Sequence, residues 1–130
     1  MTALFDIELE LITLGTARFP GAVVRDELDN NLLAELPTIR VQQVPGGGDD
    51  GLKLARFLVD IDVFAATRGD AITLARQVHD WVTSELRGST SSAAVIGRVA
   101  ALSLPASRPY ENVTLRRVGA TYEIFCHPVS

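Results

Sequence analysis

Arg56 to Gly88 reads RFLVDIDVFAATRGDAITLARQVHDWVTSELRG, and this stretch decides the fold. Phe57, Val59, Ile61 and Val63 alternate with Leu58, Asp60, Asp62 and Phe64. A period of two marks a strand with one wholly apolar face and one mixed face. A helix follows almost at once. Thr67 offers a hydroxyl to the free backbone N–H groups of the first turn, and Asp70, three residues on, approximates a capping box. Leu74, Ala75, Val78, Trp81 and Val82 recur at helical spacing, and Gly88 just past Arg87 is a stop signal.

Upstream, residues 4–14 (LFDIELELITL) fit two periods at once. Phe5 to Leu11 alternates like a strand, whereas Leu4, Ile7, Leu11 and Leu14 form a helical stripe. Leucine and glutamate favour helix and β-branched residues are few, so a helix ending near Gly15 is predicted. From Phe19 to Pro37 the chain carries Pro20-Gly21, a short strand candidate at Val23-Val24-Arg25 and the polar turn Asp29-Asn30-Asn31. That composition predicts an irregular excursion with one edge strand. Thr38 to Val44 is a strand, with Ile39 and Val41 on one face and Arg40 and Gln42 on the other. Residues 45–51 (PGGGDDG) join it to the central strand. The two therefore form a long β-hairpin whose tip, Gly46, Gly47 and Gly48 with Asp49 and Asp50, is expected to be mobile and exposed.

Downstream, Ser89 to Ser92 is a polar linker, and Ala94 to Leu104 is a third strand with Gly97 marking a bulge or close approach. Pro105 to Asn112 reads as a loop, and Val113 to His127 as a long last strand kinked at Gly119. The expected order is αββαββ with an extra edge strand. This is an α+β two-layer sandwich, two helices on a mainly antiparallel sheet of about four strands.

A chain of 130 residues is one domain with room for a real core. No apolar run reaches the ~18 residues of a membrane-spanning helix. Asp6, Glu8 and Glu10 stand where a signal peptide would be basic or apolar, so none is expected. The single cysteine, Cys126, rules out an internal disulfide and suits a reducing cytoplasm. A net charge of −4 argues against a general nucleic-acid binder. Residues 1–50 hold nine acids against three arginines, and the remainder seven acids against nine basic residues. Folding is expected to interleave the two segments and erase this asymmetry; kept apart, they would give complementary surfaces.

The chemistry-bearing residues do not assemble into a catalytic set. Gly46-Gly47-Gly48 precedes a strand rather than a helix and lacks the Lys-Ser/Thr pair of a phosphate-binding loop. Asp60-x-Asp62 offers two carboxylates on one strand face, too few for a metal site without further ligands. Pairing with Arg98, Arg116 or Arg117 on neighbouring strands is the better account. Cys126 and His127 are adjacent on a strand and so point to opposite faces. His79 reads as a surface histidine, and Trp81 and Phe64 as core. Tyr110, flanked by proline in a loop, is a candidate interface anchor. No GxSxG, HExxH or CxxC pattern occurs, so no enzyme activity, metal or cofactor is predicted.

The run Val59-Asp60-Ile61-Asp62-Val63-Phe64-Ala65-Ala66-Thr67-Arg68 and its Ala/Leu/Val-patterned helix resemble the tail terminator proteins of long non-contractile-tailed (siphovirus-type) bacteriophages, most of all those infecting actinobacteria. Leu36-Pro37-Thr38-Ile39-Arg40-Val41, the Gly/Asp-rich hairpin, and the ending from Asn112-Val113 through Arg116-Arg117 to Ala120-Thr121-Tyr122 fit the same pattern. The resemblance spans about residues 35–128 and departs at the Ser-rich linker and at Val113–Leu115. It implies a non-enzymatic virion protein that forms a hexameric ring on the head-proximal end of the tail tube, assembled in the host cytoplasm. Such a ring stops tube polymerisation and joins the major tail tube protein to head-completion or neck proteins. DNA passes through it without specific binding, and no membrane is involved. Gly46 to Asp50 on one side, and Tyr110, Arg116 and Arg117 on the other, are the candidate assembly contacts. A neck or head–tail connector subunit is the nearest alternative, and a small cellular ligand-binding module or enzyme a more distant one.

Overall fold

The alternating run becomes an interior strand because each of its faces finds a different cover. A computed structural model describes residues 6–28, 32–49, 54–91, 94–110 and 114–128. Its sheet runs in the order β1 (Val23–Arg25), β2 (Thr38–Asp49), β3 (Ala55–Ala65), β6 (Arg116–Pro128), β4 (Ala94–Ala101), and β5 (Ala106–Arg108) pairs with β6 as well. β1 lies parallel to β2, and every other pairing is antiparallel.

One face carries the helices. Val59, Ile61 and Val63 of β3, Ile39 and Val41 of β2, and Ala120, Tyr122 and Ile124 of β6 are buried there. Helix α1 (Ile7–Arg18) starts at Asp6, whose carboxylate accepts from the Leu9 N–H at 3.1 Å, and buries Ile7 and Leu11. Glu8 of α1 also accepts the Gln43 N–H at 2.7 Å, where β2 has outrun its short neighbour β1. Helix α2 (Arg68–Asp80) starts at Thr67, whose hydroxyl accepts from Asp70 N–H at 3.2 Å as the capping pattern predicts. It then widens into a π turn over Trp81–Glu85, with Leu86 N–H donating to Trp81 C=O at 2.8 Å, and the chain reverses at Gly88 with φ +84°. Trp81 meets Phe19 edge-on at 5.6 Å between ring centres, so the two helices close over one core.

The other face bears the polar side chains of the same strands, with a small apolar patch at one end. Phe64, fully buried, packs there with Leu32 and Leu115, flanked by Leu36 and Tyr110. Core membership for Trp81 and Phe64 holds, although in two separate clusters on opposite faces.

The α+β class and the helix layer agree with the sequence reading, but the four-strand αββαββ order does not: six strands form a mixed sheet. Residues 106–108, assigned to a loop, are β5, and together β4 and β5 form one interrupted edge along β6. The predicted bulge at Gly97 is present, as the β4–β6 register shifts between Ile96 and Val99. The kink at Gly119 is absent, since β6 keeps one register on β3 from Arg116 to Cys126. Helix α1 runs past Gly15 to Arg18.

Gly46, Gly47 and Gly48 are not the hairpin tip. They lie inside β2 with φ of 123°, 82° and 157°, at a register shift against β3 between Val44 and Gly48. The tip residues Asp50 and Gly51 lie outside the described residues, as do Leu4, Phe5, the 29–31 turn and residues 111–113. The acidic and basic segments fill adjoining halves of the sheet, joined by the ion pairs Arg18–Glu85 and Arg40–Asp62. α1, β1 and β2 occupy one side of the sheet, while β3, β6, β4 and β5 occupy the other.

Cys126 belongs to the helix-side core, and burial, aided by the negative charge of Glu10, pushes its thiol up to about 12. It should stay unreactive toward an aromatic disulfide reagent at pH 8 and react fully once denaturant unfolds the chain; rapid labelling of the native protein would contradict that burial. Because the folded pKa lies above the unfolded value of 9.0, its stabilising contribution is whole below that pH and is lost as the pH climbs toward 12. Tyr122, also raised by burial, acts in the same direction.

Candidate functional site

Asp60 and Asp62, two residues apart on β3, both project from the face opposite the helices, and the strands beside them place arginines within reach. Asp62 is fully buried. Its Oδ2 accepts from Arg40 on β2 at 3.2 Å and from Arg117 on β6 at 3.0 Å, and its Oδ1 accepts from Arg108 on β5 at 3.1 Å. Asp60 accepts a short hydrogen bond from the Thr121 hydroxyl and faces Arg108 at 3.5 Å. Thr121 in turn accepts from Arg108 at 3.2 Å. Three guanidiniums thus meet two carboxylates, and the Nε atoms of Arg40 and Arg117 are buried with no acceptor among the described residues.

Asp60 and Asp62 are held by cations, as the sequence suggested, but only Arg117 of the three arginines named in advance takes part. Arg98 lies over the Phe125 ring at 6.0 Å, and Arg116 is exposed. Arg40 and Arg108 were not foreseen. Arg40 sits directly across from Asp62 in the hairpin register, a relation legible once the hairpin is drawn, whereas Arg108 needed the unrecognised β5. Among the described residues no group of three or more metal-ligating side chains exists.

Gly119 lies directly opposite Asp62, and this close approach explains the glycine. A Cβ there would overlap the Asp62 carboxylate and stand 2.8 Å from the Ile61 carbonyl oxygen. Gly119→Ala should cost about 1–3 kcal/mol in a denaturant melt, the range for overpacking a close-packed site. A neutral result would show that the carboxylate has somewhere else to go.

Beside this cluster lies a pocket of about 280 Å³, walled by Arg68, Arg108, Arg116 and Arg117 with Tyr110 and Leu115. Arg68 and Arg116 are exposed, and no acidic residue lines the pocket among the described residues. Tyr110 is half-buried and stacks edge-on with Phe64 at 5.0 Å between ring centres, so part of its ring belongs to the small apolar cluster. Arg117 also donates to the Pro109 carbonyl at 3.2 Å. Of the candidate contacts, Tyr110, Arg116 and Arg117 therefore share one pocket. Gly46 to Gly48 lie away on β2, Asp49 is the last β2 residue, paired with Ala55, and Asp50 falls outside the described residues.

A second, more open hollow of about 410 Å³ lies between Leu36-Pro37, the end of β3 and α2, with Leu74, Asp70 and Gln77 among its walls. It contains no nucleophile paired with a base. His79 is not the free surface group expected: it is half-buried, with Nδ1 2.8 Å from the Tyr122 hydroxyl. This pair joins α2 to β6.

No protein-family model matches the sequence, and no curated protein does. Among solved structures, a chain of the "Virion of native gene transfer agent (GTA) particle" is similar in fold, with a TM-score of 0.64 and 17% identity over 93% of this chain and 94% of that one. At that identity the likeness establishes a shared fold, carried through nearly the full length of both chains.

Proposed function

We propose that this chain is a structural, non-enzymatic protein of a phage-like virion and acts there as a tail terminator. In this reading, copies assemble as a hexameric ring on the head-proximal end of the tail tube, stop its growth and present a surface to the neck proteins. The observation that carries the reading is the end-to-end fold likeness to a virion chain, which coincides with the resemblance of residues 35–128 to tail terminators.

The geometry suits a ring. A cyclic assembly needs two different patches that fit each other. The acidic N-terminal segment and the more basic remainder fill adjoining halves of the sheet, so its two edges, β1 on one and β4/β5 on the other, come from different segments. Asp49, the last residue of β2, and Asp50 next to it in sequence meet the patch of Tyr110, Arg116 and Arg117 on a neighbour, with the bulge at Gly46 to Gly48 behind Asp49. Arg116 carries most of that contact, because Arg117 is already engaged by Asp62 and Tyr110 by Phe64. The partners are further copies, the tube protein and a neck protein, with the ring's bore left open for DNA.

Deleting the gene and measuring tails by electron microscopy tests the role. Tails of uncontrolled length, unjoined to heads, are expected. Free tails of normal length beside filled heads would assign a neck connector instead, and normal joined particles would end the proposal. A variant carrying Asp49→Lys and Asp50→Lys should fail to restore normal tails, and full restoration would remove the hairpin from the interface.

A further inference from the structure

We infer that the pocket walled by Arg68, Arg108, Arg116 and Arg117 is a carboxylate-binding site for an acidic segment of a partner protein. The inference names the chemistry recognised on the surface proposed above, and rests on the virion reading only for the partner being a neighbouring virion protein.

Three observations carry it. The first is a surplus of charge. Among the described residues Arg40, Arg108 and Arg117 face only Asp60 and Asp62, so the described cluster behind the pocket keeps one positive charge. Arg68 and Arg116 add two more, with no acid among the described lining residues, on a chain whose net charge is −4.

The second is the position of Arg68. It is the first residue of α2, where the aligned peptide dipoles and free N–H groups already make the helix end positive. A cation there is unfavourable for the helix. Arg68 is exposed and forms no ion pair or hydrogen bond among the described residues, none of which therefore accounts for it. An anion drawn to Arg68 would offset the repulsion between that charge and the helix end it starts.

The third is shape. The cations converge on a hollow of about 280 Å³ with Tyr110 and Leu115 as apolar walls, which fits one or two acidic side chains and their methylenes. A duplex backbone presents phosphates along a line and calls for a stripe of cations. Guanidiniums also take carboxylates in forked, paired hydrogen bonds. Arg108 and Arg117 each donate one hydrogen bond to the Asp62 carboxylate, so a carboxylate is already what these guanidiniums bind inside the fold.

The test measures binding of a fluorescein-labelled oligoglutamate peptide to the purified full-length protein by anisotropy at low salt. Binding is expected, with affinity falling about tenfold or more in the double variant Arg68→Glu/Arg116→Glu, as befits the loss of charge-assisted contacts. The control Arg76→Glu/Arg87→Glu makes the same charge change at exposed positions outside the pocket and should lose far less. Both doubles should melt like the wild type. No peptide binding, or equal loss in the two doubles, overturns the inference. Tighter binding of a DNA duplex of matched charge, lost in the Arg68/Arg116 double, would assign the pocket to phosphates and overturn it too. Glu111, the acid nearest in sequence, lies outside the described residues. If peptide binds only after Glu111→Gln, the pocket's anion is the chain's own and the inference fails. Tail length after gene deletion is a separate readout, so either idea can fail alone.

Discussion

Asp62→Asn is expected to destabilise the protein by about 3–5 kcal/mol, the usual cost of removing one partner from a buried ion cluster. The substitution preserves shape and one acceptor oxygen but removes the charge on which Arg40, Arg108 and Arg117 converge. What remains is three guanidiniums crowded together, with two Nε atoms that already lack acceptors. Asp60, partly exposed and engaged with Thr121 and Arg108, is not placed to replace it. Salt should rescue little, because a fully buried carboxylate is poorly screened. Chemical denaturation measures the loss, and a double cycle with Arg117→Met separates the missing attraction from the residual repulsion, since that second change removes one of the stranded cations. A loss under about 1 kcal/mol would mean that water or rearrangement satisfies the arginines, and that the cluster matters little to stability.

Trp81→Ala should be comparably severe, about 3–5 kcal/mol, by the cavity it opens. Trp81 is 6% exposed and stands at the start of the π turn, between α2 and α1. It packs edge-on against Phe19, and its far ring edge lies where a Cβ on Gly15 would be only 3.5 Å away. The same helix ends are tied by Arg18, which donates two hydrogen bonds to the Glu85 carboxylate at 3.2 and 3.1 Å. That pair is solvent-exposed and cannot substitute for the lost core contact. Since Trp81 is the sole tryptophan, the unfolding must be followed by circular dichroism rather than by its fluorescence. Trp81→Phe keeps most of the ring and should cost markedly less. Equal losses would point to the indole N–H rather than to volume.

How far the sequence exposed this structure depended on how local the signals were. β3 and α2 carry their own period, cap and stop between Arg56 and Gly88, and both fall where they were read. β5 has three residues in a proline-bounded stretch, and its place is fixed by pairing with β6, which no local pattern announces. Arg108 was missed with it. Gly119 looked like a kink because glycine in a strand often is one, while its actual cause, the Asp62 carboxylate, lies on another strand. His79 looked free because its partner, Tyr122, is remote in sequence. The pocket's arginines come from α2, β5 and β6, so no single motif could gather them.

The burial of Asp62 has a further consequence, for the choice among competing strand pairings. Side chains on a strand alternate between faces, so a slip of β3 by one residue against either neighbour exchanges its two faces. For most strands that exchange would only mix apolar and polar groups. Here it would drive a carboxylate into the layer of Val59, Ile61 and Val63 beneath the helices, while Gly119 moved away and a side chain arrived in its place. The arginines on β2, β5 and β6 would then face valine and isoleucine. A single acid, met by cations from the two neighbouring strands and from β5 beyond β6, penalises such slips on both sides at once, and so selects one alignment of the sheet.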